Sequence, residues 1–369
     1  LLTLNGLSQT IAANTVGLRV SPLAETIDRE ARRLRSADAD LVIVIAHAGG
    51  RCSGASSCDP SSELIRVAND LEPGIVDHIF GGHVDSEMVH VVNGTSISMN
   101  LKSAASFGRV DFRLQRSNGD VVERSMYPPQ RNVLPRPATY EGQALIPIPE
   151  VEEIAIAALA QADELQSQPL GVVLEQAFVL DADMDSALFN LVTEALLESF
   201  DVDVVLHNVR GGLRKGLPAG PLTFGDIYEM FPFDNYATIH DLAGGELRRI
   251  VEAHAPGIIR AGFAGLRIFV SCSGADMKVR LVRDDGSEIL DDDPIRLLAN
   301  DYLALGGDGI LTPIMPPGGF ELRFDQPRTR DVLLAWFRER GESLHPDDWR
   351  SHARPEWNLP EGPGASCLP

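Results

Sequence analysis

Two short apolar runs constrain this chain more than anything else in it: residues 41–46, LVIVIA, and residues 75–80, IVDHIF. Each has the length of a strand and follows a stretch with helical spacing. Residues 22–36 place Leu23, Ile27, Ala31 and Leu34 on one helical face, and 61–71 (SSELIRVANDL) forms the second stretch. Continuous apolar runs of this length suit strands buried in a parallel sheet. The first run ends in His47-Ala-Gly-Gly, the second in Gly81-Gly82-His83-Val84-Asp85. Side chains at the carboxyl ends of parallel strands meet on one rim, where ligands bind. Imidazole ligates transition metals, and neighbouring glycines permit tight turns and close approach. Either histidine alone reads more readily as the cap of a strand than as a ligand. Two in the same context make His47, His83 and Asp85 candidate metal ligands.

The rest of the chain divides by pattern. Asn93-Gly94 and Asn118-Gly119 each sit between strand-like stretches and predict hairpins with type I′ turns. Residues 127–149 carry six prolines and read as a linker, followed by a helix over about 150–167. A second α/β region begins with a helix at 185–199 and a strand at 202–207, then a glycine-rich loop and a helix near 225–230. Residues 342–369 read as a loosely packed tail. There is no internal repeat.

Lys and Arg number 32 against 53 Asp and Glu, a net charge of −21. Such a surface argues against unspecific binding to nucleic acid or anionic membranes, but not against an anionic substrate held by local metal ions and arginines. No stretch approaches the roughly 18 to 20 apolar residues of a membrane helix. The chain begins with Leu and shows no signal peptide, so it reads as starting inside a longer one. Of the four cysteines, Cys52 and Cys58 share a polar loop, RCSGASSC, while Cys272 and Cys367 stand apart. The close pair fits a disulfide or half a metal site. Without CxxC spacing or a second pair, zinc is disfavoured. A disulfide is expected, and with it an oxidising compartment.

Several segments carry a family resemblance. DLVIVIAHAGG and IVDHIFGGHVD look like the ligand-bearing segments of calcineurin-like metallophosphoesterases, and VNGTSISMNLKSAASFGRVDFRL is similar to their 5'-nucleotidase branch. HNVRGGLRKGLPAGPLTFGDIYEMFPFDN, DLAGGELRRIVE and ANDYLALGGDGI resemble, in order, motifs of the 5'-nucleotidase C-terminal domain. The resemblance runs to about residue 341. It implies an α/β protein: a partial metallophosphoesterase α/β sandwich over residues 1–130, a linker and connecting helix over 131–167, a C-terminal substrate-binding α/β domain over 168–341, and a tail over 342–369.

The implied activity is hydrolysis of phosphate esters of nucleotides by two divalent ions (Zn, Mn, Mg or Co) in a periplasmic or extracellular enzyme. His47 and His83 would bind one ion. Asp85 stands where the family has His or Gln for the other. The family's upstream Asp-x-His, Gly-Asp and Asn-His-Glu segments do not occur here, so the catalytic Asn-His is missing, the ligand set is incomplete, and the chain by itself is expected to be inactive. The resemblance gives Arg214 to the phosphate, Phe233 and Tyr302 to the base, and Asn235 and Asp308 to base or sugar, with Gly211 and Gly212 forming the turn before Arg214. The residue types agree: guanidinium binds phosphate bidentately, and aromatic faces stack bases.

Two departures stand out. FVLDADMDSALFN is acidic where the family has further arginines, and Arg210 replaces a glycine. Asp181, Asp183 and Asp185 lack the glycine and glutamate of a calcium loop and read as a solvated turn. Two rivals remain open: a non-catalytic nucleotide or sugar-phosphate binding protein, and a thiosulfohydrolase-like hydrolase of the same fold.

Overall fold

The computed structural model describes residues 3, 6, 15, 17–53, 57–132, 139–181, 186–208, 211–254, 261–273, 276–316, 319–322, 325–350 and 357–358. Contacts divide the chain near residue 147 into two compact units.

In the first unit, α1 (Leu23–Arg35) precedes β1 (Ile43–Ile45), and α2 (Glu63–Asp70) precedes β4 (His78–Phe80). Between them lies the short hairpin β2 (Cys52–Ser53) and β3 (Ser57–Cys58). β5 (Met88–Val92) and β6 (Thr95–Met99) flank the Asn93-Gly94 turn and complete a sheet of order β1-β4-β6-β5. β1 pairs with β4, and β4 with β6, in parallel; β5 is antiparallel to β6. The sheet's core side buries Ile79 and Ile97 against Leu64, Ile65 and Ala68 of α2. α1 buries Leu23, Ile27 and Ala31. Leu34, expected on that face, is 37% exposed and stands one residue before the helix ends. Ile43 and Ile45 lie on the same face of β1 and are exposed, while Val42 and Ala46 on the other are buried, so the run is covered on one face rather than both. The long hairpin β7 (Ser106–Leu114) and β8 (Val121–Arg131) turns through residues 115–120. Gly119 has φ 76° but Asn118 does not have positive φ, so this turn is not the expected type I′, which Asn93 and Gly94 at φ 46° and 77° do fit. A minimal pair, β9 (Thr139–Tyr140) and β10 (Gln143–Ala144), follows.

The second unit starts with α3 (Pro149–Gln166), an 18-residue helix none of whose residues is buried. β11 (Pro169–Leu174) and α4 (Ala187–Ser199) lead to β12 (Val204–Asn208). After β13 (Gly220–Thr223) comes α5 (Phe224–Met230), begun by a capping box between Thr223 and Asp226. Then follow β14 (Ala237–Ala243), α6 (Gly244–His254), β15 (Ala261–Ala264), β16 (Arg267–Ser273), β17 (Asp276–Val282), β18 (Pro294–Asn300), α7 (Asp301–Ala304) and α8 (Thr329–Arg340). The central sheet has order β14-β18-β12-β15, with β12 and β18 parallel and both outer strands antiparallel. α4 buries nine residues behind it.

The segment read as the start of a loose tail is partly ordered. β19 (Ser343–Leu344) pairs in parallel with β11, and Asn190 Nδ2 donates to the carbonyl of Trp349 at 2.7 Å. Trp349 is 2% exposed and packs edge-on to Trp336. Polar composition hid one large aromatic whose burial outweighs the entropy of ordering its neighbours. β20 (Trp357–Asn358) lies parallel to β16.

Candidate functional site

The first rim is at the ends of β1 and β4. His47 lies two residues beyond β1 and His83 three beyond β4, so the parallel register of Ile45 with Phe80 sets them side by side. Their Nε2 and Nδ1 atoms are 3.1 Å apart and their ring centroids 4.8 Å. Both are exposed. His83 adopts φ 70°, a strained conformation for a residue with a Cβ and one that clusters at functional sites. The neighbouring glycines have a packing reason: a Cβ on Gly49 would fall 2.2 Å from Val84 Cγ2, and one on Gly81 2.5 Å from Leu64 Cδ2. Small residues here let the two loops lie against each other.

Asp85 does not join the pair in a tight cluster. Its carboxylate takes the Lys102 ammonium at 3.0 Å and the Lys102 backbone N–H at 3.2 Å, and these hold it below the usual carboxylate range. Among the described residues, no third His, Cys, Asp or Glu brings a ligand atom within 4.8 Å of both imidazoles. Two nitrogens on one tetrahedral zinc ion stand about 3.3 Å apart, given bonds of roughly 2.0–2.1 Å. The observed 3.1 Å therefore fits two ligands of a site, not a whole one.

The second rim is at the ends of β12 and β18. Because those strands are parallel neighbours, Asn208 and Asn300 emerge together, and Asn300 Nδ2 donates to Asn208 Oδ1 at 3.0 Å. Asn300 also caps α7, accepting from the Leu303 N–H at 2.9 Å. Asn208 Nδ2 donates to Asp308 Oδ2 at 3.1 Å, and the Tyr302 hydroxyl donates to Asp308 Oδ1 at 3.0 Å. Burial, with the Asp308 carboxylate beside it, pushes that hydroxyl up to about 12. Gly307 lies under the Tyr302 ring: a Cβ there would sit 2.4 Å from it. Gly212 is equally fixed, since a Cβ would fall 1.8 Å from the Asn208 carbonyl oxygen.

A third segment reaches the same rim. β14 runs antiparallel to β18 with Ala237 opposite Asn300, so residues 233–236, just before it, arrive where β18 ends. Asn235 Nδ2 donates to Asp301 Oδ1 at 2.8 Å. Phe233 is half-buried: it packs against the core and stands edge-on to Phe231. Arg214 is exposed, its backbone N–H held by the Met230 carbonyl, and its guanidinium lies 5.1 Å from the Phe233 ring centroid. The same charge is close enough to Tyr302 to oppose the rise in its pKa. Arg214 thus borders both aromatics.

Asn208 and Asn300 carry this network, and sequence reading passed over both. Both stand in quoted segments, Asn208 in HNVRGGLRKGLPAGPLTFGDIYEMFPFDN and Asn300 in ANDYLALGGDGI, and an Asn ahead of a helical turn is a capping signal. Arg210, Asp183 and Asp185 lie outside the described residues.

Residues 170–314 match the family model of the 5'-nucleotidase C-terminal domain. The chain is 25% identical over 338 residues to Endonuclease YhcR of Bacillus subtilis, covering 86% of this chain and 26% of that protein. It is 22% identical over 327 residues to a 5'-nucleotidase of Vibrio cholerae, covering 80% of this chain and 58% of the other. The chain therefore spans between about a quarter and three-fifths of these relatives' lengths. A 5'-nucleotidase precursor from Thermus thermophilus shares the fold, with TM-score 0.62, 18% identity, and coverage of 93% of this chain and 68% of that one. So does a putative 5'-nucleotidase from Staphylococcus aureus, at 0.66 and 13%, with 97% and 71% covered.

Proposed function

We propose that this chain, whose residues 170–314 match the 5'-nucleotidase C-terminal domain, is a member of the 5'-nucleotidase family, and that its second rim holds the nucleoside part of a phosphate ester that the whole protein hydrolyses. The observation that carries the reading is the meeting of three segments, residue 208 with 211–214, 233–235 and 300–308, at one end of one sheet. Arg214 pairs with the phosphate. Phe233 and Tyr302 offer faces to the base, and Asn235 bonds its edge. Asp308 has used two of its roughly four acceptor positions on Tyr302 and Asn208, so it retains capacity for ribose hydroxyls. Gly212, without a Cβ, keeps the approach to Arg214 low.

His47 and His83 would hold one divalent ion, completed by ligands outside the described residues, with Asp85 released from Lys102 to serve a second ion. A divalent ion held there would polarise the phosphoryl group and acidify a bound water. This chain's residues bind and orient the ester, and no residue of it is assigned as catalytic. That no third ligand meets the two imidazoles among the described residues favours a second reading for this chain taken alone: nucleotide binding without turnover. The Cys52–Cys58 disulfide agrees with a periplasmic or extracellular setting, as does a cell-wall protein among the relatives.

Calorimetry with adenosine and AMP tests the assignment. Stacking of about 1–3 kcal/mol per base must offset the entropy of association, which puts Kd at roughly millimolar to high micromolar. Phe233→Ala should weaken nucleoside binding about tenfold or more, and Arg214→Ala should weaken AMP more than adenosine. Nucleosides that fail to bind would remove the assignment and leave a phosphoesterase fold of unknown substrate. Phosphate release from AMP with added divalent ions separates the two readings: binding without release supports the second.

A further inference from the structure

The disulfide lies in a setting that two oxidised sulfurs do not explain. Cys52 and Cys58 face each other directly across β2 and β3, with Cα atoms 3.9 Å apart. A ring nitrogen of His90, from β5, lies within 4.8 Å of both sulfurs, the three making the one such tight group of His, Cys, Asp and Glu among the described residues. His90 Nε2 is shielded from solvent yet has no hydrogen-bond partner among the described residues. Buried ring nitrogens are rarely left so. Met88 is two residues before His90, hence on the same face of β5, and its Sδ is 3.0 Å from Cys52 Sγ. Two sulfurs, an imidazole and a thioether therefore share one spot, brought together from two segments 36 positions apart at Cys52 and Met88, and unused by the nucleotide reading. The spacing of the cysteines counted against zinc because it shows two ligands only. The strand β5 brings the others.

We propose that reduction of this disulfide opens a site for one soft closed-shell cation, held by Cys52 Sγ, Cys58 Sγ and His90, with Met88 as a fourth, weaker ligand. The reduction takes two electrons and two protons from an external thiol or dithiol: the S–S bond breaks, two S–H groups form, and the reductant leaves as its own disulfide. Metal binding then displaces both thiol protons to solvent, since the thiolate is the ligand. In a tetrahedral site the sulfurs would stand about 3.8 Å apart for metal–sulfur bonds near 2.3 Å, a separation that rotation about the two Cα–Cβ bonds provides. Thiolate and thioether select copper(I) and zinc over hard ions. The thioether contact makes copper(I) the better match. Exchange with an external disulfide reverses the step: the Cys52–Cys58 bond re-forms, the external disulfide takes two protons from solvent and leaves as two thiols, and the ion is released, so metal affinity follows the redox state.

The test uses the full chain carrying Cys272→Ser and Cys367→Ser, leaving Cys52 and Cys58 as its only possible thiols. Oxidised and phosphine-reduced samples are titrated anaerobically, with zinc against a chromophoric chelator and with copper(I) against a bicinchoninate competitor. One further equivalent should bind after reduction, at least a hundredfold tighter than to the oxidised form. Cys58→Ser should abolish that increment. His90→Ala should weaken it tenfold or more with the circular dichroism spectrum unchanged, and Met88→Leu should weaken copper(I) while leaving zinc within twofold. Equal binding by the two redox forms would overturn the proposal. So would an increment that survives His90→Ala undiminished, because a dithiol alone would then be the ligand. Loss on Met88→Leu for both metals, or neither, would overturn the preference for copper(I).

Discussion

At the ends of β1 and β4 the two candidate histidines are exposed and lie against each other, whereas at the ends of β12 and β18 the polar groups are tied into a chain running Asn300, Asn208, Asp308, Tyr302. Both rims arise in the same way, from adjacent parallel strands that deliver side chains to one edge. The first leaves donor atoms open for a charged ligand to organise. The second is organised before any ligand arrives, so a bound base would meet groups whose ordering has already been met by folding. Substitutions should therefore cost the second rim stability and the first rim little.

The largest effect is expected at Gly212. A methyl group there collides with backbone, which cannot rotate away, so Gly212→Ala should destabilise the second unit by about 3 kcal/mol. All three tryptophans lie beyond residue 335, so urea unfolding followed by tryptophan fluorescence reads that unit. An unchanged midpoint would mean that the loop after Asn208 is slack and the contrast between rims is false.

Acidification should weaken both units. Burial lowers His78 in the first and His207 in the second to about 4. Below about 6.5 the unfolded chain binds a proton that the folded chain refuses, so stability falls as pH drops from there toward 4. Each histidine should remove roughly 2 kcal/mol by pH 5. In His78 the network fixes the neutral form. Ser96 Oγ donates to the Asp77 carbonyl and so accepts from His78 Nδ1–H, leaving Nε2 to accept from the Ser98 hydroxyl. Fluorescence and far-UV circular dichroism at pH 7 and 5 separate the units. A second unit that keeps its midpoint would show His207 to be protonated at no cost.

A smaller change tests the chain of hydrogen bonds itself. Replacing Asp308 by Asn removes a charge beside Tyr302 but not its burial. The Tyr302 hydroxyl should fall from about 12 yet stay above 10, read by ultraviolet titration of the phenolate against the parent. No movement would place the cause in burial alone. At the first rim, His83→Gly should stabilise by up to about 1 kcal/mol by relieving the positive φ, and His47→Ala should lie within about 0.5 kcal/mol of the parent. A loss above that at His47 would mean that the exposed pair supports the fold after all.

What was legible in the sequence was local. Helical spacing placed α1, α2 and α4 to within two residues, and Asn93-Gly94 and Asn118-Gly119 marked hairpins that the structure contains. The apolar runs placed His47 and His83 at one edge because strand ends need only a parallel pairing to meet. The disulfide was legible because six residues of polar loop can close on themselves. Contacts between distant residues were not. Lys102 takes Asp85 across 17 positions, and Asp308 meets Asn208 across 100. No periodicity records such meetings; they follow from which strands pair. His90 beside the disulfide is hidden for the same reason.

The pairing of β19 with β11 has a consequence during synthesis. Val173 and Leu174 wait for Ser343 and Leu344, and the core that holds Trp336 stays open until Trp349 has left the ribosome. The β1-β4-β6-β5 sheet, whose strands all lie between residues 43 and 99, meets no such delay. Folding in step with translation, it is complete while the second unit still exposes apolar surface, and the interval in which a chaperone or a protease can act belongs to the second unit.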